Sequence, residues 1–79
     1  MVTKTIYIVG EILNMVVLYT VVTIYAVTED DANKQIMAYA TEAKRANKFV
    51  FQNLPKNYLI WHDNGSFSFM GDSNESINY

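Results

Sequence analysis

The first third of the chain is a long apolar segment with almost no charge. Between residues 6 and 27 the only formally charged side chain is Glu11. Valine, isoleucine and threonine dominate the segment, and these β-branched residues favour strands. Gly10 and Asn14 interrupt it where a hairpin would turn. We therefore predict two antiparallel strands, over residues 4–12 and 15–27.

The same segment also has the length of a membrane-spanning helix. Such a helix needs about 20 mostly apolar residues. Lys4 before residues 6–27 and acidic residues after them would suit an orientation with the N-terminus inside. The β-branched composition favours the two strands, and a small single-span membrane protein remains the alternative.

The residues after this segment predict a helix. Thr28 is a good N-cap residue, and Asp31 follows three positions later in a relative of the capping box. Glu29, Asp30 and Asp31 also place negative charge where a helix N-terminus is positive. Small and apolar residues then recur every three or four positions and form one stripe, which comprises Ala32, Ile36, Tyr39, Ala40, Ala43 and Ala46.

Residues 57–70 carry the clearest hairpin signal in the chain. Asn64 and Gly65 separate two alternating runs, and Asn-Gly favours a two-residue type I′ turn. If these two residues form the loop, Trp61 pairs with Ser68 across the hairpin. Residues 49–54 fit either a continued helix or a short strand.

This predicted pairing places Trp61 on one face of the hairpin with Leu59 and Met70. A partly exposed tryptophan flanked by apolar side chains is typical of interface hot spots. The acidic helix start is a second candidate contact. We therefore predict that the partner-binding residues are Trp61, Leu59, Met70, Glu29, Asp30 and Asp31; the alternative is that Trp61 lies in the core.

Candidate chemistry is sparse. The chain has no cysteine, which excludes disulfides and thiolate metal sites. His62 is the only histidine, and its neighbour Asp63 points to the opposite face of a strand. The predicted pairing also places Ser66 and Ser68 on the face opposite His62. We therefore expect no catalytic residue, no metal site and no cofactor.

Length and composition favour one folded domain. The chain has 79 residues, of which 51% are hydrophobic, and a formal net charge of −2. A chain of this size normally forms a single domain. We predict an α+β domain over residues 1–70, with a small antiparallel sheet, one packed helix and the order ββαββ. Residues 71–79 are rich in Gly, Asp, Ser and Asn and predict a flexible tail.

Basic residues cluster near the predicted end of the helix. Lys44, Arg45, Lys48 and Lys56 could form a patch beside an aromatic side chain, which leaves nucleic-acid binding as a second alternative. A sequence pI of about 5.1 argues against it. Positive charge at a helix C-terminus is also explained by the helix dipole.

The second predicted strand is longer than most strands, which have five or six residues. Part of it should therefore extend past the first strand and leave unpaired backbone groups. An apolar strand edge of this kind favours pairing with a second copy. We predict a homodimer through residues 15–27.

The order of the predicted elements, over most of the chain, resembles that of a known class of small proteins. The resemblance is carried by the strand at residues 4–9, the helix opening Thr28-Glu29-Asp30-Asp31 and the run Ala40-Thr41-Glu42-Ala43-Lys44-Arg45. A hairpin, an acid-capped helix and a second hairpin in a short cysteine-free chain resemble small bacteriophage accessory proteins. These include anti-CRISPR proteins and antitoxins that neutralise host ribonuclease toxins. The resemblance implies a non-enzymatic inhibitor that binds a host protein in the host cytoplasm.

Overall fold

The computed structural model describes residues 1–71 and shows an α+β fold with one helix and a five-stranded mixed sheet. The strands lie in the order β3-β1-β2-β4-β5. The predicted fold class is confirmed, but the order ββαββ and the antiparallel sheet need correction: residues 49–51 add a strand, and β4 runs parallel to β2. The elements are β1 (Val2–Ile12), β2 (Met15–Ala26), α1 (Glu29–Arg45), β3 (Phe49–Phe51), β4 (Tyr58–Trp61) and β5 (Phe67–Met70).

The predicted hairpin between β1 and β2 is confirmed. Leu13 and Asn14 form its turn, with φ angles of 51° and 65°. Positive φ at both central positions is the requirement of a type I′ turn, whose twist matches that of the flanking strands. Ile12 pairs with Met15 on either side of the turn, and the ladder continues to Val2 and Ala26. The predicted extension of the second strand past the first is therefore wrong, because β1 is long enough to pair with β2 from end to end.

A bulge interrupts this ladder near its middle. Ile8 pairs with Thr20 and Val9 pairs with Leu18, so Tyr19 has no partner on β1. A bulge re-aims the side chain of the extra residue. A Cβ atom at Gly10 would lie 2.8 Å from Cε2 of Tyr19. The glycine on β1 therefore leaves the space that the Tyr19 ring occupies.

The helix begins as the sequence predicts. Oγ1 of Thr28 accepts a hydrogen bond from the backbone N–H of Asp31 at 3.1 Å, which satisfies one of the free donors of the first turn. At the other end Asn47 adopts a φ of 58°, and the backbone N–H of Lys48 donates to the carbonyl of Ala43 at 2.8 Å. This Schellman-type ending turns the chain directly into β3.

The main core lies between the helix and one face of the sheet. Its buried centre is Ile6, Ile24, Ala26 and Ala32. Alternation along β1 and β2 directs these strand residues toward the helix. Partly buried apolar residues pack around this centre: Val2, Ile8, Val22, Ile36 and Val50.

Only part of the apolar stripe of the helix is buried. Ala32 and Ala43 are buried and Ile36 is half-buried, as the stripe predicts. The helix packs mainly on β1, β2 and β3, so it buries only the positions that point at these strands. The prediction is wrong for the remaining members of the stripe, which are exposed: Tyr39, Ala40 and Ala46.

Residues 6–27, the candidate membrane span, form parts of β1 and β2. Within residues 1–71, no helix combines the length and the apolar character that crossing a bilayer requires. Of the predicted flexible tail, residues 71–79, all but Gly71 lie outside the described residues.

Candidate interaction surface

The turn between β4 and β5 sets the composition of both faces of this hairpin. The backbone N–H of His62 donates to the carbonyl of Ser66 at 3.0 Å, and that of Gly65 donates to the carbonyl of His62 at 2.9 Å. Residues 63–65 therefore form a three-residue loop, with Gly65 at a φ of 85°. Asn-Gly fits this loop, in which glycine takes the left-handed position, as well as the two-residue loop that the sequence suggested.

The predicted register of this hairpin is wrong by one residue. Trp61 pairs with Phe67 instead of Ser68, and Leu59 pairs with Phe69. A shift of one residue moves every side chain of one strand to the other face. Trp61 and Leu59 therefore share their face with two phenylalanines, whereas Met70 pairs with Tyr58 on the opposite face.

The corrected register assembles a cluster that we call the aromatic surface. Trp61 and Tyr19 contact each other with ring centroids 5.9 Å apart and planes tilted by 42°. Nζ of Lys48 lies 4.7 Å from the centroid of the Tyr19 ring, a cation–π distance. The aromatic surface consists of Tyr19, Leu59, Trp61, Phe67 and Phe69.

Three elements bring these residues together. The bulge in β2 frees Tyr19 from the ladder, and Gly10 makes room for its ring on β1. Gly10 lies two positions after Ile8, which packs on the core, so Tyr19 lies on the helix side of the sheet. The parallel pairing of Val17 with Leu59 places β4 beside β2. The aromatic surface therefore continues the helix-covered face onto strands beyond the main packing area of the helix.

Much of the aromatic surface is open to solvent. Phe67 is 44% exposed and Phe69 is 54% exposed. Tyr19, Leu59 and Trp61 are half-buried. No cleft forms within residues 1–71. Exposed aromatic side chains outside a cleft suit contact with a macromolecule, whereas small molecules are usually bound in clefts.

The acidic residues of the helix start lie at a different place. Glu29 forms an ion pair with Lys4, with Oε2 and Nζ 2.9 Å apart. The helix start follows the end of β2, whereas the aromatic surface joins β2 at Tyr19, about 20 Å back along the strand at roughly 3.3 Å per residue. The six predicted partner-binding residues therefore fall into three groups: Trp61 with Leu59; Met70 on the other face; and Glu29, Asp30 and Asp31 at the far end.

His62 and Ser68 are close together, contrary to the sequence prediction. Nε2 of His62 lies 2.7 Å from Oγ of Ser68, because the corrected register puts both on one face. A serine–histidine hydrogen bond is one requirement of nucleophilic catalysis. Both residues are exposed, and the described chain forms no cleft to hold a substrate beside them. The pair is accounted for as a cross-strand contact that joins β4 to β5.

The basic residues take part in separate contacts. Nη1 of Arg45 lies 3.5 Å from Oε1 of Glu42, one turn earlier on the helix. Lys44 is exposed in the last turn, and Lys48 contacts Tyr19. The contact with Tyr19 joins Lys48 to the aromatic surface.

Sequence reasoning missed Tyr19, Phe67 and Phe69 as members of the site, and it named Lys48 only in the basic patch of the nucleic-acid alternative. Gly10 within a strand pattern was the available signal for Tyr19, because such a glycine often marks a close approach by another group. The alternation of Phe67 and Phe69 with Ser68 indicated that the two phenylalanines share an apolar face. It could not indicate which residues of β4 lie on that face, because the loop length decides the pairing.

The comparisons with known proteins identify no relative. The chain matches no protein-family model, no curated protein and no solved structure. Its function is therefore inferred from the geometry and chemistry of the surface itself.

Proposed function

We propose that this protein is a non-enzymatic binding module that occupies another protein with its aromatic surface. One observation supports this most directly: a half-exposed cluster of one leucine and four aromatic side chains lies on the sheet outside the main cover of the helix. Tryptophan and tyrosine are enriched among the residues that dominate binding energy at protein interfaces. Covering this exposed apolar area would favour the binding of a partner here.

The exposed phenylalanines would contribute apolar burial energy to a complex. A buried phenylalanine covers on the order of 200 Å². Covering the exposed halves of Phe67 and Phe69 would each remove about 100 Å² from water, which stabilises a complex by about 2.5 kcal/mol per residue at 25 cal/mol per Å². This gross gain is partly offset by the cost of association, and it is of the size lost when a hot-spot residue is truncated.

The class of partner follows from the resemblance of plan. Small bacteriophage accessory proteins act by covering a surface of a host enzyme, and we propose a phage-encoded inhibitor of a host defence or nucleic-acid enzyme. Glu29, Asp30 and Asp31 are exposed and would complement a basic groove of such an enzyme. Because they lie about 20 Å from the aromatic surface along β2, a partner that uses both sites must span that distance.

Two phenylalanines of nearly equal exposure allow a matched test. Phe69 is 54% exposed on the aromatic surface, and Phe49 is 56% exposed on β3. Phe49 pairs with Val9, next along β1 to the core residue Ile8, so it lies on the opposite face of the sheet. Immobilised wild type, Phe49→Ser and Phe69→Ser proteins are each used to capture partners from a bacterial lysate.

We expect the wild type and Phe49→Ser to retain the same bacterial protein and Phe69→Ser to lose it. With the purified partner, Phe69→Ser should weaken the Kd by about 10- to 100-fold, which corresponds to about 1.4–2.8 kcal/mol. Trp61 is the only tryptophan of the chain, so its fluorescence should shift to the blue when the partner covers it. Equal binding by both variants, with Trp61 emission unchanged, would rule the surface out.

Nucleic-acid binding is the second candidate because Lys48 lies over Tyr19, next to Trp61. A cation beside exposed aromatic rings can hold single-stranded nucleic acid by stacking. This candidate predicts quenching of Trp61 by a single-stranded oligonucleotide, an affinity that falls steeply with salt, and a larger loss for Lys48→Met than for Lys44→Met. The protein-binding proposal predicts no such quenching.

A further inference from the structure

One edge of β2 is open along much of its length. β2 pairs with β1 from end to end, but it pairs with β4 only at Val17 and Leu18. No strand within residues 1–71 pairs with the other side of residues 20–26. The Tyr25 carbonyl at this end accepts a hydrogen bond from Nε2 of Gln35 at 3.1 Å. An open strand edge is a template for another strand.

This edge differs from the other open edges of the sheet. Residues 2–6 of β1 extend beyond β3, but they carry Lys4, and a lysine on an edge strand discourages pairing. β5 has four residues and β3 has three. Residues 20–26 are longer and include no charged side chain. Among the described edges, this one is best suited to strand addition.

We propose that a second copy of this chain pairs antiparallel with residues 20–26 and forms a symmetric dimer. A strand that pairs antiparallel with its own copy creates a closed two-fold interface. The midpoint of this stretch is Thr23, so the axis places Thr23 opposite Thr23 of the second copy. Val22 then lies opposite Ile24, and Val21 lies opposite Tyr25.

The side chains around this axis are compatible with their own copies. No like charges meet, because residues 12–28 include no charged side chain. A threonine pair, and the pairing of an aromatic with a β-branched residue, both stabilise antiparallel strands. Val21 is 52% exposed and Tyr25 is 64% exposed, so each gains a neighbour in the dimer. Two five-stranded sheets become one continuous sheet.

Positive and negative charges introduced separately at Thr23 test the proposal, and sedimentation measures the dimer. The wild type should sediment at twice 9.1 kDa in the micromolar range. Thr23→Lys and Thr23→Glu should each weaken dimerisation by more than tenfold, because like charges meet on the axis. A one-to-one mixture of the two variants should dimerise again. That recovery excludes misfolding as the cause of dissociation.

Thr5→Lys is the matched control. Thr5 pairs with Thr23 within the same chain, so it lies on the same exposed face but one strand away from the axis. It should leave the dimer intact. Dissociation of Thr5→Lys equal to that of Thr23→Lys would show that copies pack face to face and would overturn the edge pairing. A wild type that stays monomeric at several hundred micromolar would also overturn it.

A cysteine cross-link tests the register independently, because the chain contains no cysteine of its own. Directly opposed residues in antiparallel strands have Cα atoms about 4.5–5.5 Å apart, which is within the range of a disulfide. Thr23→Cys should therefore form a covalent dimer under mild oxidation, and Thr5→Cys should not. Efficient cross-linking of Thr5→Cys, or none of Thr23→Cys in a dimer, would contradict the axis at Thr23.

Discussion

Gly10→Ala should disturb the aromatic surface, because Gly10 on β1 lies beside the Tyr19 ring. The new Cβ atom would lie 2.8 Å from Cε2 of Tyr19, closer than van der Waals contact allows. The ring contacts Trp61, at 5.9 Å between centroids, and Nζ of Lys48, at 4.7 Å from the ring centroid. It must turn or lift to accept the methyl group, and either movement changes the surroundings of Trp61.

The size of the effect follows from the cost of overpacking. Forcing an extra carbon into a filled site destabilises a protein by about 1–3 kcal/mol. For a domain of this length each kcal/mol lowers the Tm by about 4–8 °C. Without the ring, the sign should reverse, because alanine in a strand is more stable than glycine by about 0.5–1 kcal/mol. Gly10→Ala should therefore stabilise a Tyr19→Leu protein.

The assay is a double-mutant cycle by urea unfolding, with near-ultraviolet circular dichroism of Trp61 as the local probe. Gly65→Ala provides the control. A Cβ atom at Gly65 would have no heavy atom within 4 Å, but its φ of 85° strains any other residue. That substitution should cost about 1–2 kcal/mol in both backgrounds and leave the Trp61 signal unchanged.

The reasoning is refuted if Gly10→Ala destabilises the wild type and Tyr19→Leu equally. Equal costs would mean that the glycine is needed for its backbone conformation and that the ring does not depend on it. An unchanged Trp61 signal in Gly10→Ala would likewise show that the tyrosine ring does not connect β1 to β4.

Two further predictions concern stability, and urea unfolding checks both. Thr28→Ala removes the side chain that accepts from Asp31 N–H and should cost about 1 kcal/mol, whereas Thr41→Ala, in the middle of the exposed helix surface, should be neutral or slightly stabilising; equal costs would contradict the capping role. Ile6→Ala creates a cavity at a fully buried position and should cost about 2–5 kcal/mol, whereas Met37→Ala, which is 68% exposed on the helix, should cost less than about 1 kcal/mol; similar losses would contradict the assigned core.

The features predictable from sequence depend on neighbouring residues. The hairpin of β1 and β2 follows from β-branched composition and a turn residue at Asn14. The helix start follows from Thr28 and the acidic residues after it. Each signal lies within a few residues of the structure that it specifies, so no knowledge of the distant chain is needed.

The features that sequence reasoning missed depend on distant contacts or on one residue of register. Asn64-Gly65 is compatible with loops of two and three residues, and the choice between them decides which face holds Phe67 and Phe69. The parallel pairing of β4 with β2 joins segments separated by some 40 residues, and no local pattern encodes it. The bulge at Tyr19 lies in the β1–β2 ladder, but the ring that it re-aims contacts Trp61 on the distant β4.

The two proposed interfaces lie on different parts of β2 and can be occupied together. A two-fold axis through Thr23 is perpendicular to a continuous antiparallel sheet, so both helices and both aromatic surfaces face the same side of the dimer. Each surface joins β2 at Tyr19, four residues from the axis, which separates the two surfaces by about 25 Å along the strands. Two linked binding sites at a fixed spacing gain avidity only on a partner with two matching patches. A symmetric host enzyme would therefore be held much more tightly by the dimer than by the Thr23→Lys monomer, and a monomeric enzyme would not distinguish them.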